Sequence, residues 1–448
     1  MVILASIKAD IGPMRKNLFS EKLNHLKSRQ LKIVACSAIY FFCLLCSYFI
    51  LRPLRDEMGI VNGAINMQWL FTGTFLAMLC IVPIFGLLVA KNSIKRVLLF
   101  SYSFCIGNIL LFYFLFKLFG ATRSIAISFF IWLSVFNLFV VSLFWSFMAD
   151  VFSSKSSKRY FGIIASGGSL GALTGPIIAN RLNSLFSISS LLLAAAFFLI
   201  IALFCILVIF KLSNKQAHFN KDSENIKFNS KVLFEGIKKI IKSAYLLGIV
   251  GFILLYTSIS TVLYFEQAHI LEKTLTNSNQ RISYFSNIDF TVNAIAIMGQ
   301  FFFTGRIIKK LGLSIVLASV PLLMGFGLIV LGLHQSLITI AILLVLHRAG
   351  NFMLLRPGRE ILFTVSSIDE KYKAKNFIDT AVYRGGDALV GWIFAGLFTL
   401  GLSLGTIAFL AAPAALLWSY AGRKLGKQQQ QKENILTLNE SIYEHNAQ

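Results

Sequence analysis

The sequence predicts an all-α polytopic membrane protein, with about twelve transmembrane helices in two six-helix bundles. Three observations lead there. The chain of 448 residues is 56% hydrophobic, with only 19 acidic residues against 42 lysines and arginines. Its apolar residues gather into runs of about 20, the length that crosses roughly 30 Å of hydrocarbon as helix. The basic residues then fall on one side of the resulting arrangement.

The runs stand at 33–51, 67–90, 97–119, 124–149, 160–180, 188–210, 244–264, 284–304, 312–333, 337–355, 376–400 and 402–421. With the N-terminus inside, the outer loops hold only Arg52, Arg55, Lys117, Arg123, Arg181, Lys273 and Arg281 among the basic residues. Arg348, Arg356, Arg359 and Arg384 lie within or beside spans, and every other basic residue is on the inner side. Both termini are therefore expected in the cytoplasm. The formal charge of +23 follows from this topology. A lipid bilayer is the expected partner, and nucleic acid is not.

All six cysteines lie in expected spans, Cys43 and Cys46 included, where an apolar helix offers no further metal ligands. They read as small packing residues, and no cofactor is expected. The first thirty residues are polar and basic, and the first apolar run is long enough to span, so an uncleaved protein of a bacterial inner membrane is expected. No catalytic motif appears. Gly162 to Ser169 imitates a phosphate loop, yet it lacks the Lys-Ser/Thr ending and lies in a span. An enzyme is not expected.

The expected organisation is a cytoplasmic segment at 1–32, a first six-helix bundle at 33–210, a Lys-rich linker at 211–243, a second bundle at 244–421 and a cytoplasmic tail at 422–448. The end of the linker, KVLFEGIKKIIK, has the apolar spacing of an amphipathic helix on the inner surface. Six spans plus six is the layout of the major facilitator fold, whose halves are related by pseudo-symmetry. Gly167, Gly171 and Gly175 in span five recur at the interval that lets two helices approach closely. Span eleven carries YRGGDALVGW in the corresponding position, a weak internal repeat.

Charged residues inside spans usually face a cavity or a partner, which makes them the site candidates. LRPLRDEM at 51–58 and LRPGREIL at 355–362 share Leu-Arg-Pro-x-Arg followed by an acid. At 100° per residue, Arg348, Asn351, Arg356 and Arg359 of span ten fall within an arc of about 140°. Two readings stay open for Arg356 and Arg359: they line the cavity, or they snorkel to the interface with Glu360 at i,i+4 from Arg356. Likewise, Arg52 and Arg55 either face the cavity or sit in an outer loop, with Asp56 at i,i+4 from Arg52. Asp289, Asn293, Gln300 and Thr304 of span eight share an arc of about 60° and read as polar lining. Asp150 lies on one face of span four with Ser142 and Ser146, while Asp379, Arg384 and Asp387 stand near the inner half of span eleven.

Arginines from spans one and ten with only scattered acids would make such a cavity electropositive, and guanidinium forks suit phosphate oxygens. A phosphorylated anion is the expected substrate, with Tyr48, Tyr256, Tyr264 and Trp145 available to stack on a base. The residues resemble the ATP/ADP antiporters, nucleotide exchangers of intracellular bacteria and plastids. Ile50-Leu51-Arg52-Pro53-Leu54-Arg55-Asp56 is similar to that family's span-one motif, with Pro53 in place of an aspartate and Arg55 in place of a lysine. Pro357-Gly358-Arg359-Glu360, followed by Lys371-Tyr372-Lys373-Ala374-Lys375-Asn376-Phe377-Ile378-Asp379, is similar to its span-ten motif and loop, again with arginine for lysine. Lys158-Arg159-Tyr160-Phe161 resembles a further stretch of the family.

The resemblance implies ATP:ADP exchange by alternating access, with Arg55 and Arg359 on phosphate. Arg52, Arg348 and Arg356 are expected as secondary ligands, and Asp289, Asn293 and Gln300 as lining. A monomer is expected. The alternative is a proton-coupled transporter of another metabolite or phosphorylated anion, with Asp289, Asp379 or Asp387 carrying the proton. A membrane sensor without flux forms a third class.

Overall fold

Backbone polar groups cannot stay unpaired in hydrocarbon, and the chain answers with helix almost throughout. The computed structural model describes residues 13–213, 240–241, 243–366, 374–375 and 377–446, and no strand occurs among them. The first half holds α1 (Pro13–Val61), α2 (Met67–Lys91), α3 (Ile94–Phe119), α4 (Arg123–Val151), α5 (Ser154–Leu185) and α6 (Ser189–Ser213). The second holds α7 (Ala244–Thr274), α8 (Ser278–Gly299), α9 (Gly305–Leu333), α10 (Leu337–Gly350), α11 (Arg356–Leu362), α12 (Tyr383–Thr399) and α13 (Leu404–Asn446). The expected linker helix at 231–242 and the loop at 371–373 lie outside the described residues, apart from 240 and 241.

Ten stretches among the described residues are long and apolar enough to cross a membrane. One of them, Ser278–Leu333 at 56 residues, contains two passes, because Gly312 (φ 76°, ψ 159°) interrupts the helix in a conformation that glycine adopts without strain. α10 and α11 together make a single pass. α12, 17 residues behind a turn at Ile378–Val382, is shorter than the others and completes twelve passes.

Two hydrophobic cores follow the two halves. One runs from Val34 to Ile209 and includes Ile282 of α8. The other runs from Ile240 to Leu425 and includes Ile60, Ala64 and Met67 from around the α1–α2 turn. Each half thus lends apolar residues to its neighbour at the end of the bundle where α1 meets α2.

The stripe of Gly167, Gly171 and Gly175 lies directly against α1. A β-carbon on Gly171 would stand 2.3 Å from the carbonyl oxygen of Phe42, so the two backbones touch only because the side chain is absent. In the second half the comparable backbone contact is made by Gly422 and Gly426 of α13, which face Leu317 and Ser314 of α9. α12 does not repeat it, since Gly386 and Gly391 meet the side chains of Thr257 and Phe265.

Two local features depart from the even helices expected. α1 does not end at residue 51 but continues through Pro53 to Val61, so Arg52 and Arg55 are helical residues roughly two turns inside its end. Proline removes one backbone hydrogen bond, and burial of Leu51, Leu54 and Met58 keeps the helix in place across the gap. In addition, three π turns occur among the described residues, Gln300–Thr304, Asn351–Leu355 and Ile378–Val382, all in the second half. The first two face each other: Gln300 donates to the carbonyl of Phe352 at 2.9 Å, and Thr304 to that of Met353 at 2.9 Å. A π turn holds an extra residue and rotates everything beyond it about the helix axis.

Gly171→Ala is expected to destabilise the detergent-solubilised protein by about 1–3 kcal/mol through overpacking of α1 on α5. Gly107→Ala on α3, where a β-carbon meets nothing within 4 Å, is expected to leave thermal unfolding unchanged or slightly raised.

Candidate functional site

A carboxylate withdrawn from water requires cationic partners, and at Asp289 those partners come from both halves. Asp289 on α8 is 1% exposed. Its Oδ1 accepts from Nη2 of Arg348 on α10 at 2.5 Å and lies 3.5 Å from Nη1 of Arg52 on α1. Oδ2 of Asp289 and Nε of Arg52 are buried without partners. One carboxylate oxygen therefore serves two guanidiniums.

A turn farther along α1, Arg55 donates through Nε (3.0 Å) and Nη2 (2.5 Å) to Oδ1 of Asp56, and lies 5.2 Å from the ring centroid of Phe130. The hydroxyl of Tyr264 on α7 donates to the same oxygen at 2.9 Å, which ties α7 to α1 across the seam. Glu57, fully buried, accepts a bidentate pair from Arg281 at the start of α8, Nε to Oε2 and Nη2 to Oε1, each at 2.7 Å. Ser278 donates to Oε1 at 2.7 Å.

Further bonds join the halves at this end. Asn183 donates to the carbonyl of Asn279 at 2.8 Å, Asn180 to Asn287 at 3.1 Å, and the indole of Trp392 to Thr72 at 3.0 Å. Asn293 donates to the carbonyl of Ala172 at 2.9 Å. Cross-half bonds between described residues thus run from the α1–α2 end down to the level of Asp289 and Asn293. That end is sealed.

At the opposite end the ion pairs among the described residues lie within the second half, and Arg29 donates to the carbonyl of Leu212 within the first. Arg359 lies 3.3 Å from Asp379, Lys375 pairs with Glu360 at 2.5 Å, and Arg384 lies 3.5 Å from Asp387. Thr261 donates to Asp387 at 3.2 Å, and Tyr383 to Tyr256 at 3.3 Å. Arg356 and Glu360 are exposed, as is Asp150 at the end of α4.

Several expectations are corrected by this geometry. Arg55 and Arg359 do not share one position: Arg359 lies roughly 16 Å farther along the helix than Arg348, at about 1.5 Å per residue. The facing pair is Arg52 with Arg348. Arg52 pairs with Asp289 and not with Asp56, which Arg55 and Tyr264 occupy. Glu360 takes Lys375 in place of Arg356. The π turn at Asn351–Leu355 interrupts the even 100° spacing between Arg348 and the pair Arg356 and Arg359. Of the expected stripe, Asn293 donates to α5 and Gln300 to the α10 π turn, so each also has a protein partner. The four aromatics are packed on protein: Tyr48 against Phe49, Tyr256 on His347, Tyr264 against Phe71, and Trp145 against Phe41.

The sequence places Arg281 in an outer loop and gives Glu57 no partner, whereas the structure pairs the two. The signal was present in the apolar residues Leu54, Met58 and Ile60, which carry helical spacing past residue 51.

Twelve helical passes in two bundles, with ion pairs buried along the seam between them, define a secondary membrane transporter. The chain belongs to the Major Facilitator Superfamily, whose sequence profile matches residues 33–366. Among solved structures, a POT family transporter in complex with a thioalcohol conjugated peptide superposes with a TM-score of 0.64 at 13% identity, covering 88% of this chain and 96% of that one. The nucleoside transporter NupG superposes with a TM-score of 0.62 at 12% identity, covering 89% and 98%. At such identities the likeness shows the fold alone. No curated protein matches the sequence.

Arg281→Ala would strand Glu57 in the seam, and a loss of about 3–5 kcal/mol is expected in thermal unfolding. The double substitution Glu57→Gln with Arg281→Gln removes both charges and is expected to recover most of that loss.

Proposed function

We propose that this transporter exchanges adenine nucleotides, ATP against ADP, by alternating access, with Arg52 and Arg348 binding phosphate. The observation that carries the reading is the sharing of one Asp289 oxygen between guanidiniums from opposite halves. A single carboxylate offers one negative charge to two cations. A phosphate offers more charge and more acceptor oxygens, and guanidinium forks match them. Asp289 holds the position between the two guanidiniums that such an anion would take.

The motif resemblance at Ile50–Asp56 and at Pro357–Asp379 supports a nucleotide as that anion. With positive residues inside, the sealed α1–α2 end faces outward and the exposed Arg356, with Arg359 and Arg384 nearby, stands at the inner entrance. An entering nucleotide would meet these cations first and reach Arg52 and Arg348 next. Arg55, held by Asp56 and Tyr264, is placed to join when the seam rearranges. A preference for exchange follows from charge: Asp289 neutralises one of two guanidiniums, so the loaded carrier closes away from water more readily than the empty one.

The test is uptake of labelled ATP by proteoliposomes preloaded with ADP, with buffer or with another phosphorylated anion. ADP loading is expected to stimulate uptake, and Arg52→Ala or Arg348→Ala is expected to lower it by roughly 10- to 100-fold, the worth of about one charge-assisted hydrogen bond. Equal uptake with ADP and with buffer would overturn nucleotide exchange. Stimulation by a different loaded anion alone would move the substrate to that anion while keeping the arginine site. Full exchange in both variants would remove Arg52 and Arg348 as ligands.

A further inference from the structure

Where α5 meets α8, a groove of about 380 Å³ opens at the surface of the seam. Its α5 wall carries Ile177, Asn180, Arg181 and Ser184, and its α8 wall carries Asn287 and Phe290. α5 runs towards the sealed end and α8 away from it, so depth can be read along each helix. Arg181 and Ser184 stand within about one turn of Leu185, where α5 ends, whereas Ile177 and Phe290 lie deeper. Polar groups therefore line the shallow part of the groove and apolar groups the deep part. A lipid presents its head and its chains to a protein in the same order.

The charge in this groove is unbalanced. Arg52, Arg55, Arg281 and Arg348, the arginines inside the seam, each have a carboxylate. Arg181 has no ion pair among the described residues, and none of the residues lining the groove is acidic. Asp289, on the same stretch of α8, is buried and taken by Arg348 and Arg52. A guanidinium left alone at the level of lipid heads finds its counter-charge in a phosphate, to which it can donate twice. Asn180 donates to Oδ1 of Asn287 at 3.1 Å, which leaves the amide nitrogen of Asn287 as a further donor. An ammonium headgroup would meet no carboxylate here, so a head that carries negative charge alone fits better than a zwitterionic one.

We propose that this groove binds an anionic phospholipid from the leaflet at the sealed end, with its phosphate on Arg181 and Asn287 and a chain along Ile177 and Phe290, and that the bound lipid favours the sealed arrangement. The second part follows from the walls. One belongs to the first half and the other to the second, and they are held side by side by cross-half bonds: Asn180 to Asn287, and Asn183 to Ser283 at 3.2 Å and to the carbonyl of Asn279 at 2.8 Å. Opening the sealed end parts α5 from α8 and divides the groove. A ligand that touches both walls binds the sealed arrangement more tightly than the open one, and that difference in affinity is what shifts the balance between them. The site is separate from Arg52 and Arg348, so the proposal does not depend on which anion is transported.

Native mass spectrometry of the full-length protein in detergent, titrated with phosphatidylglycerol or phosphatidylcholine, tests binding without any substrate. The native protein is expected to retain one phosphatidylglycerol more tightly than phosphatidylcholine, and Arg181→Ala is expected to weaken that binding by roughly tenfold, the worth of a charge-assisted hydrogen bond. Ile177→Trp fills the groove without touching the charge and is expected to weaken it as well, so the test stands if either variant fails to fold. Equal retention of the two lipids, or undiminished binding of phosphatidylglycerol in the variants, would overturn the site. Glycerol phosphate binding as tightly as the lipid would make the occupant a soluble anion and count equally against it. The effect on the seam is read from the distance between spin labels at Ala121→Cys and His334→Cys, in opposite halves, with exposed Cys80 replaced by serine. Phosphatidylglycerol liposomes are expected to raise the share of the short distance over phosphatidylcholine liposomes, and Arg181→Ala is expected to abolish the difference. The same distribution in both lipids would overturn the coupling of lipid to closure.

Discussion

Everything in the centre of this molecule depends on one constraint: a charge that leaves water for the interior of two helical bundles must meet its opposite or lose its charge. At Asp289 the constraint is met with an imbalance, two guanidiniums on one carboxylate oxygen. The imbalance favours a further anion and also draws the two halves together, because Arg52 belongs to one and Asp289 to the other. Binding and closure therefore act on the same atoms. This is the physical requirement of alternating access, in which occupancy of a shared site has to change the relative energy of two arrangements.

The sealed end shows how the remaining charges are settled. Glu57 and Arg281 neutralise each other with two well-directed hydrogen bonds, and Ser278 adds a third to the same carboxylate. Asparagines on α5 and α8 continue the seam without charge. A contact of this kind is strong while both partners are present and readily exchanged for water when the helices part, which suits a seam that must open and close. Glycines on α5 serve a different purpose, because they join α1 to α5 inside one half through direct backbone contact. Close apolar packing holds each half rigid, and polar contact joins the halves.

Much of this was legible before any coordinates. Apolar runs of spanning length, a long polar stretch between the sixth and seventh, and the glycine interval on α5 depend on local composition and spacing, so reading them in order recovers twelve passes and one helix contact. Arg52, Arg348 and Asp289 were also visible as charges in apolar surroundings. Their partners were not. Helical-wheel arithmetic assumes 100° per residue, and the π turns at Gln300–Thr304 and Asn351–Leu355 break that assumption where the candidate residues lie. Carbonyls of the Asn351–Leu355 turn are taken up by side chains of Gln300 and Thr304, a cause that segment does not contain alone.

What the sequence determined by itself is therefore the class of molecule: a helical protein of many membrane passes with cations in its interior, since each of these follows from hydrophobic length and the cost of charge in lipid. Only the tertiary structure decided which acid meets which base. That Arg52 turns to Asp289, that Glu57 reaches Arg281 and that Glu266 has no ion pair among the described residues are consequences of how the helices lie against one another. Ion pairing acts over a few ångströms between residues hundreds of positions apart, and no pattern along a single chain encodes that distance.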